Sequence, residues 1–205
     1  MKKEYKEPKI TINKVYTKKG DAGLTGLIGK HKVPKSDLRV KSYGELDELN
    51  SLIGGCQHML IEESFSSDDK DLLIKVLTRI QNEIFNLGNM IATLDANISE
   101  NMPRIDETHL SKLEKDIDYY NTKLPVLKSF VLPGGSMTNV WFHLARTVAR
   151  RSERTIVELS QSEQVDSLIL KYINRLSDAL FVWARWVIFF KNDGSNEKLW
   201  DPNTL

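Results

Sequence analysis

The stretch "ILKYINRLSDALFVWARWVIFF", residues 169–190, decides the fold class. Ile169, Ile173, Leu176, Leu180, Trp183, Val187 and Phe190 recur at alternating spacings of four and three. That spacing puts them on one stripe of an α-helix, the seam of a helical bundle. Four further helices follow from the same rhythm toward the N-terminus. Ser36 or Asp37 can cap a first helix carrying Val40, Tyr43, Leu46, Leu49 and Ile53. Leu73, Val76, Ile80, Ile84, Leu87 and Ile91 define a second that ends before Asp95. A third, shorter and more polar, lies between about residues 106 and 121. "LPGGS" is a turn feeding a fourth, with Ser136 as its cap. One short strand is expected near residues 10–16. The predicted fold is all-α, a five-helix up-and-down bundle, ferritin-like in layout. It forms a single domain, with an N-terminal segment over 1–36, the bundle over 37–192 and a tail over 193–205.

Composition narrows the function classes. The 205 residues are 40% apolar and 28% charged with a net charge of +1, which suits one globular domain. Bulk charge gives no support to a nucleic-acid partner. No run approaches the roughly 20 apolar residues of a membrane span, and the N-terminus lacks the apolar core of a targeting peptide. A cytoplasmic protein is the expectation. Cys56 is the single cysteine, in the apolar setting "LIGGCQHML", and reads as a buried inert thiol. A ferritin-like di-iron centre needs Glu-x-x-His pairs. His31, His58, His109 and His143 are preceded three places earlier by Ile28, Gly55, Asp106 and Val140, so that chemistry is excluded.

The fourth helix, "SMTNVWFHLARTVARRSERTIVELSQ", separates two faces. Trp141, Leu144, Val148, Thr155 and Leu159 form its expected apolar stripe. With Val148 at zero, Arg146, Arg150, Glu153 and Arg154 fall at roughly 160°, 200°, 140° and 240°. Arg146, Arg150 and Arg154 make an i, i+4, i+8 ladder of like charge, which costs helix stability unless an anion lies against it. The ladder is either a solvated basic face with an Arg150–Glu153 pair or an oxyanion site, for which the arginine fork is suited. Asn174 and Asp178 flank the seam of the fifth helix on its border. "VYTKKGDAGLTGLIGKHKVPKSD", residues 15–37, poses a similar choice. It matches neither GxxxxGK[ST] nor GxGxxG, and is either a flexible basic lead-in or a phosphate nest with Thr17, Thr25 and Lys35 as donors.

"YTKKGDAGLTGLIG", "YGELDELNSLIG", "FVLPGG", "ARTVARRSER" and "YINRLSDALFVWARW" follow one another in an order and spacing that resembles the PduO-type ATP:cob(I)alamin adenosyltransferases. The resemblance runs from Val15 to about Phe190. It implies a homotrimer with active sites between subunits, and transfer of the 5′-deoxyadenosyl group of ATP to cob(I)alamin, forming adenosylcobalamin and triphosphate. By position, the implied ATP-binding residues are Thr17, Lys18, Lys19, Gly20, Asp21, Thr25, Gly26, Lys35, Arg150, Arg151, Ser152, Glu153, Arg154 and Asn174. Arg146 would pair with Asp47 of the neighbouring subunit. Phe130 would be the apolar wedge that keeps a lower axial ligand off the corrin, easing reduction to Co(I); from the residues alone it could equally pack beneath the "PGG" turn.

Co(I) is itself a strong nucleophile, so the reaction asks for alignment and charge stabilisation on triphosphate, not for a general base. Mg²⁺ is expected on the triphosphate, held by its oxygens and water, with no metal held by the protein itself. Gly26 stands where the family often has a hydroxyl, leaving only a backbone contact there. The resemblance also implies a flavoprotein reductase and an adenosylcobalamin-dependent client enzyme as partners. The rival reading is a non-catalytic trimer that senses ATP or escorts adenosylcobalamin.

Overall fold

The computed structural model describes residues 13, 15–29, 31–191 and 197–203. Five helices carry the chain: α1 (Leu38–Glu62), α2 (Asp68–Ala92), α3 (Glu107–Asn121), α4 (Met137–Ser160) and α5 (Ser167–Lys191). Each of the first four starts where a short polar side chain can accept a free backbone N–H. Asp37 accepts from Arg39 N, Ser67 from Lys70 N, and Ser136 from Asn139 N. Asp106 accepts from Thr108 N and His109 N, and the His109 ring returns to the Asp106 backbone. At the other end of α1, Lys70 Nζ donates to the carbonyls of Ile61, Glu63 and Phe65, capping with a cation what a helix dipole leaves negative.

α1 packs on α2 and α4, and α5 packs on α4 and α3. The buried Tyr172 hydroxyl of α5 donates to Glu83 of α2, which closes a four-helix ring. α3 is the fifth helix, laid against α5 and tied to α2 by Arg79–Asp116 at 2.6 Å and Lys123–Asp69 at 2.5 Å. α1 and α4 run antiparallel: Thr138 hydrogen-bonds Glu63 at one end and Thr155 hydrogen-bonds Glu45 at the other. The expected seam of α5 is buried through Val187, and Phe190 comes out at the helix end against the Trp186 ring. More of α5 is buried than one stripe, Ala179, Val182, Ala184 and Ile188 included, because α5 has neighbours on three sides. Cys56 is fully buried, and burial pushes its thiol pKa well up.

Two expectations change. Strands form at β1 (Leu24–Gly26) and β2 (Lys32–Pro34), an antiparallel pair with Thr25 opposite Val33. Three-residue strands are too short to carry an alternation, so hydrophobic periodicity misses them. The strand expected near 10–16 lies largely outside the described residues; among those that are described, Val15 and Tyr16 are in no strand. The buried stripe of α4 also differs. Val148, Thr155 and Leu159 are buried as expected, but they are joined by Asn139, Phe142, Ala145, Ala149, Ser152 and Ile156, while Leu144 is exposed and Trp141 only half-buried. Small residues define this stripe because α4 lies close to α1; Trp141 packs directly over Gly55, where no side chain would fit.

Candidate functional site

The N-terminal segment folds into a hairpin that builds a cavity. Leu27 N donates to His31 O at 2.8 Å across the turn, and Lys35 N donates to Gly23 O at 2.8 Å. Gly29, at φ 93°, lets the turn pass against Asn97, which would collide with any Cβ there. The hairpin is stitched to the end of α2 by Ile28 N to Ala92 O, 3.0 Å. Thr17, Lys19, Gly20, Leu24, Thr25, Gly26, Lys32 and Lys35 line a cavity of about 400 Å³. Six of these residues were expected as ligands from the sequence; Lys32 joins them because β2 faces Gly26 of β1. Lys18 and Asp21 sit in the preceding exposed turn, where Lys18 takes φ 60° and its carbonyl accepts from Asp21 N. Three lysines, two threonines and glycine backbone amides make a polar, cationic pocket suited to phosphate.

The arginines of the chain divide into two groups. Arg39, Arg79, Arg104, Arg151, Arg175 and Arg185 each meet a carboxylate. The remaining three are Arg146, Arg150 and Arg154, and none has a carboxylate partner among the described residues. Arg154 donates to the Arg150 carbonyl at 3.0 Å, and Arg146 Nε donates to His143 Nδ1 at 3.3 Å. Burial, and secondarily the charge of Arg150, lowers the pKa of Arg146. Positive charge is thus held on one face at an electrostatic cost that a bound oxyanion would relieve. Asp178 of α5 feels Arg150, yet burial outweighs it and raises the carboxyl pKa.

The other residues expected on this face are engaged within the chain. Arg151 turns to α1, where Glu48 and Glu45 take its guanidinium. Ser152 is fully buried and its hydroxyl donates to Val148 O at 3.0 Å, so it packs the α4 stripe. Glu153 accepts from Asn174 Nδ2 at 3.0 Å, in place of the Arg150–Glu153 pair considered from sequence, and Asn174 Oδ1 accepts from Arg175. The Glu153–Asn174 bond braces α4 against α5 beside the ladder. Asp47 lies on the opposite flank of α1, in a groove of about 380 Å³ with Tyr43, Asn50 and Phe85. The Asp47 groove is lined by α1 and α2, and the hairpin is tied to the end of α2, whereas the ladder is carried by α4.

Phe130 does not pack beneath the glycine turn. It is 77% exposed, and its ring meets Trp200 edge-on at 6.1 Å. Trp200 N donates to Phe130 O at 2.7 Å, Leu132 N to Lys198 O at 2.8 Å, and Ser129 Oγ to Trp200 O at 2.8 Å. Arg185, 5% exposed on α5, anchors the same strap through Glu197 at 2.7 Å and the Pro125 carbonyl at 3.1 Å. Sequence reasoning left the tail unassigned. An aromatic residue in "KLWDP", beyond the last helix, was the only signal, and it named no partner.

The cobalamin adenosyltransferase family model matches residues 15–187. The corrinoid adenosyltransferase of Bacillus subtilis is 44% identical over 174 residues, covering 85% of this chain and 86% of that protein. The corrinoid adenosyltransferase MMAB of Mus musculus is 34% identical, covering 95% and 80%. Among solved structures, a phenylalanine-to-histidine variant of a PduO-type ATP:corrinoid adenosyltransferase from Lactobacillus reuteri, complexed with cobalamin and ATP, superposes with a TM-score of 0.81. It is 37% identical, and the match covers 92% of this chain and 97% of that one.

Proposed function

The chain belongs to the cobalamin adenosyltransferase family, and on that premise we propose that its hairpin and its arginine ladder are the two halves of one ATP site completed between subunits. The activity is that of an ATP:corrinoid adenosyltransferase: ATP and cob(I)alamin bind, and the 5′-deoxyadenosyl group passes to cobalt, giving adenosylcobalamin and triphosphate. In this step the electron pair of Co(I) forms the Co–C5′ bond while the C5′–O bond breaks, and its electrons leave on triphosphate.

The three unpaired arginines carry the reading. Cations fixed by the fold stabilise a leaving group as its charge develops, at no cost of reorganisation. Lys35, Lys32 and Lys19 with Thr17 and Thr25 would hold the polyphosphate from the hairpin side, with Lys18, Gly20, Asp21 and Gly26 shaping the loop. Arg150 and Arg154 would meet it from the adjoining copy, with Arg146 beside them shaping the site; Arg151, Ser152, Glu153 and Asn174 keep α4 in place behind them. The assembly that goes with this reading is a homotrimer with its sites between subunits, in which Arg146 of one copy would pair with Asp47 of the next. These donors are cationic and neutral, so Mg²⁺ would ride on the triphosphate oxygens. Phe130, backed by Trp200, would give the corrin an apolar lower face. Among the described residues no helix is long and apolar enough to cross a membrane. A reducing cytoplasm, a flavoprotein reductase supplying Co(I), and a client enzyme taking adenosylcobalamin would complete the setting.

Anaerobic assay with chemically reduced cobalamin and ATP tests the enzyme: the corrin spectrum should convert to that of adenosylcobalamin. ATP binding without that conversion would overturn the catalytic reading in favour of an escort. Light scattering on the purified chain tests the trimer, and a monomer with full turnover would remove the shared site.

A further inference from the structure

We infer that His143 is a positioning residue for the ladder: its Nδ1 holds Arg146 by Nε and leaves both Nη groups of the guanidinium fork available to an oxyanion. The inference rests on reading the ladder as an anion site. His143 lies one turn before Arg146 on α4, is 3% exposed, and accepts the Arg146 Nε–H at 3.3 Å. An imidazole that accepts at Nδ1 carries its proton on Nε2. That Nε2 is buried with no hydrogen-bond partner among the described residues. A leucine or phenylalanine would fill this position, beside Phe181, without orphaning a polar atom. Packing therefore does not account for the ring.

The choice of acceptor does. Every other arginine held by a side chain in the described structure is held by a carboxylate, which cancels its charge as it orders it. Arg146 alone is ordered by an imidazole. Burial, then the nearby Arg146 charge, lowers the His143 pKa to about 4, so the ring stays an uncharged acceptor near neutrality. The fork is fixed, and its charge remains whole for an incoming oxygen pair. That pair belongs either to the ATP triphosphate or to a carboxylate of a second copy.

His143→Asn and His143→Gln separate positioning from space-filling. The asparagine amide falls close to the Nδ1 position and keeps an acceptor for Arg146; the glutamine amide falls near Nε2 and does not, though it matches the histidine volume better. Expected is a loss of about tenfold in His143→Gln and recovery to within about threefold in His143→Asn, with KM for cob(I)alamin unmoved in both. A loss read in KM for ATP identifies triphosphate as the oxyanion; a loss read in subunit association by light scattering identifies the carboxylate. Equal kinetics and assembly in the two variants, or the reverse order, would overturn the inference. Arg146→Lys keeps the charge without the fork. If it is impaired while His143→Gln is normal, only the positioning role falls; if Arg146→Lys is itself normal, the role of Arg146 at an anion site falls and takes this inference with it.

Discussion

Arg150 and Arg151 are neighbours in sequence and opposites in the fold. Arg151 points across to α1 and is 43% exposed beside Glu48, a surface ion pair. Arg150, about 100° away around the helix, makes no ion pair with an acid among the described residues, Asp178 feeling its charge only at longer range, and shares its face with Arg146 and Arg154. The first kind of arginine closes the bundle. The second leaves it open to a ligand. Charge alone does not distinguish them; the missing partner does.

The largest expected effect tests the open side. Arg150→Ala should lower kcat/KM by about 10²–10³, the usual loss on removing one fixed donor from a developing anion, with an unchanged melting temperature. Near-normal turnover would reduce the ladder to a solvated face. The closed side breaks differently. Arg79 pairs with Glu83 and Asp116 at 3.0 and 2.6 Å, and Glu83 is buried. Arg79→Met should therefore cost about 3 kcal/mol in urea unfolding, because it leaves a buried carboxylate without its cation and with only the Tyr172 hydroxyl as donor. Turnover below the unfolding transition should be kept.

His143 lies between these cases and gives a pH test. Its pKa is lowered from 6.5 to about 4, so below 6.5 the unfolded chain takes up a proton that the folded chain refuses. Stability should fall as pH drops from 6.5 to 4 and this contribution should level off below that. His143→Asn should flatten that part of the urea-midpoint profile. Smallest of all is Arg151→Ala: an exposed pair contributes under about 1 kcal/mol, and turnover should stay within about threefold. A large catalytic loss there would move Arg151 to the open group and blur the contrast.

Helices and their caps were legible because both are local. Asp37 and Ser136 cap within three residues of themselves, and the α5 seam needs only a 3.6-residue period. The hairpin cavity was legible as chemistry, through Thr17, Thr25, Gly20 and Lys35, but not as strands. What failed to show were pairings of long sequence separation. Arg151 with Glu48, Glu153 with Asn174 and Phe130 with Trp200 are each set by which helix or strap comes alongside.

By itself, then, the sequence determined five helices, a cationic glycine-rich lead-in and a ladder of arginines on one helical face, since periodicity and residue chemistry suffice for these. Only the tertiary structure decided which arginines are spent on carboxylates and which stand without one among the described residues. A side chain's partner is fixed by the packing of elements far apart in the chain, and the sequence around Arg150 or Arg151 does not reveal which helix comes alongside.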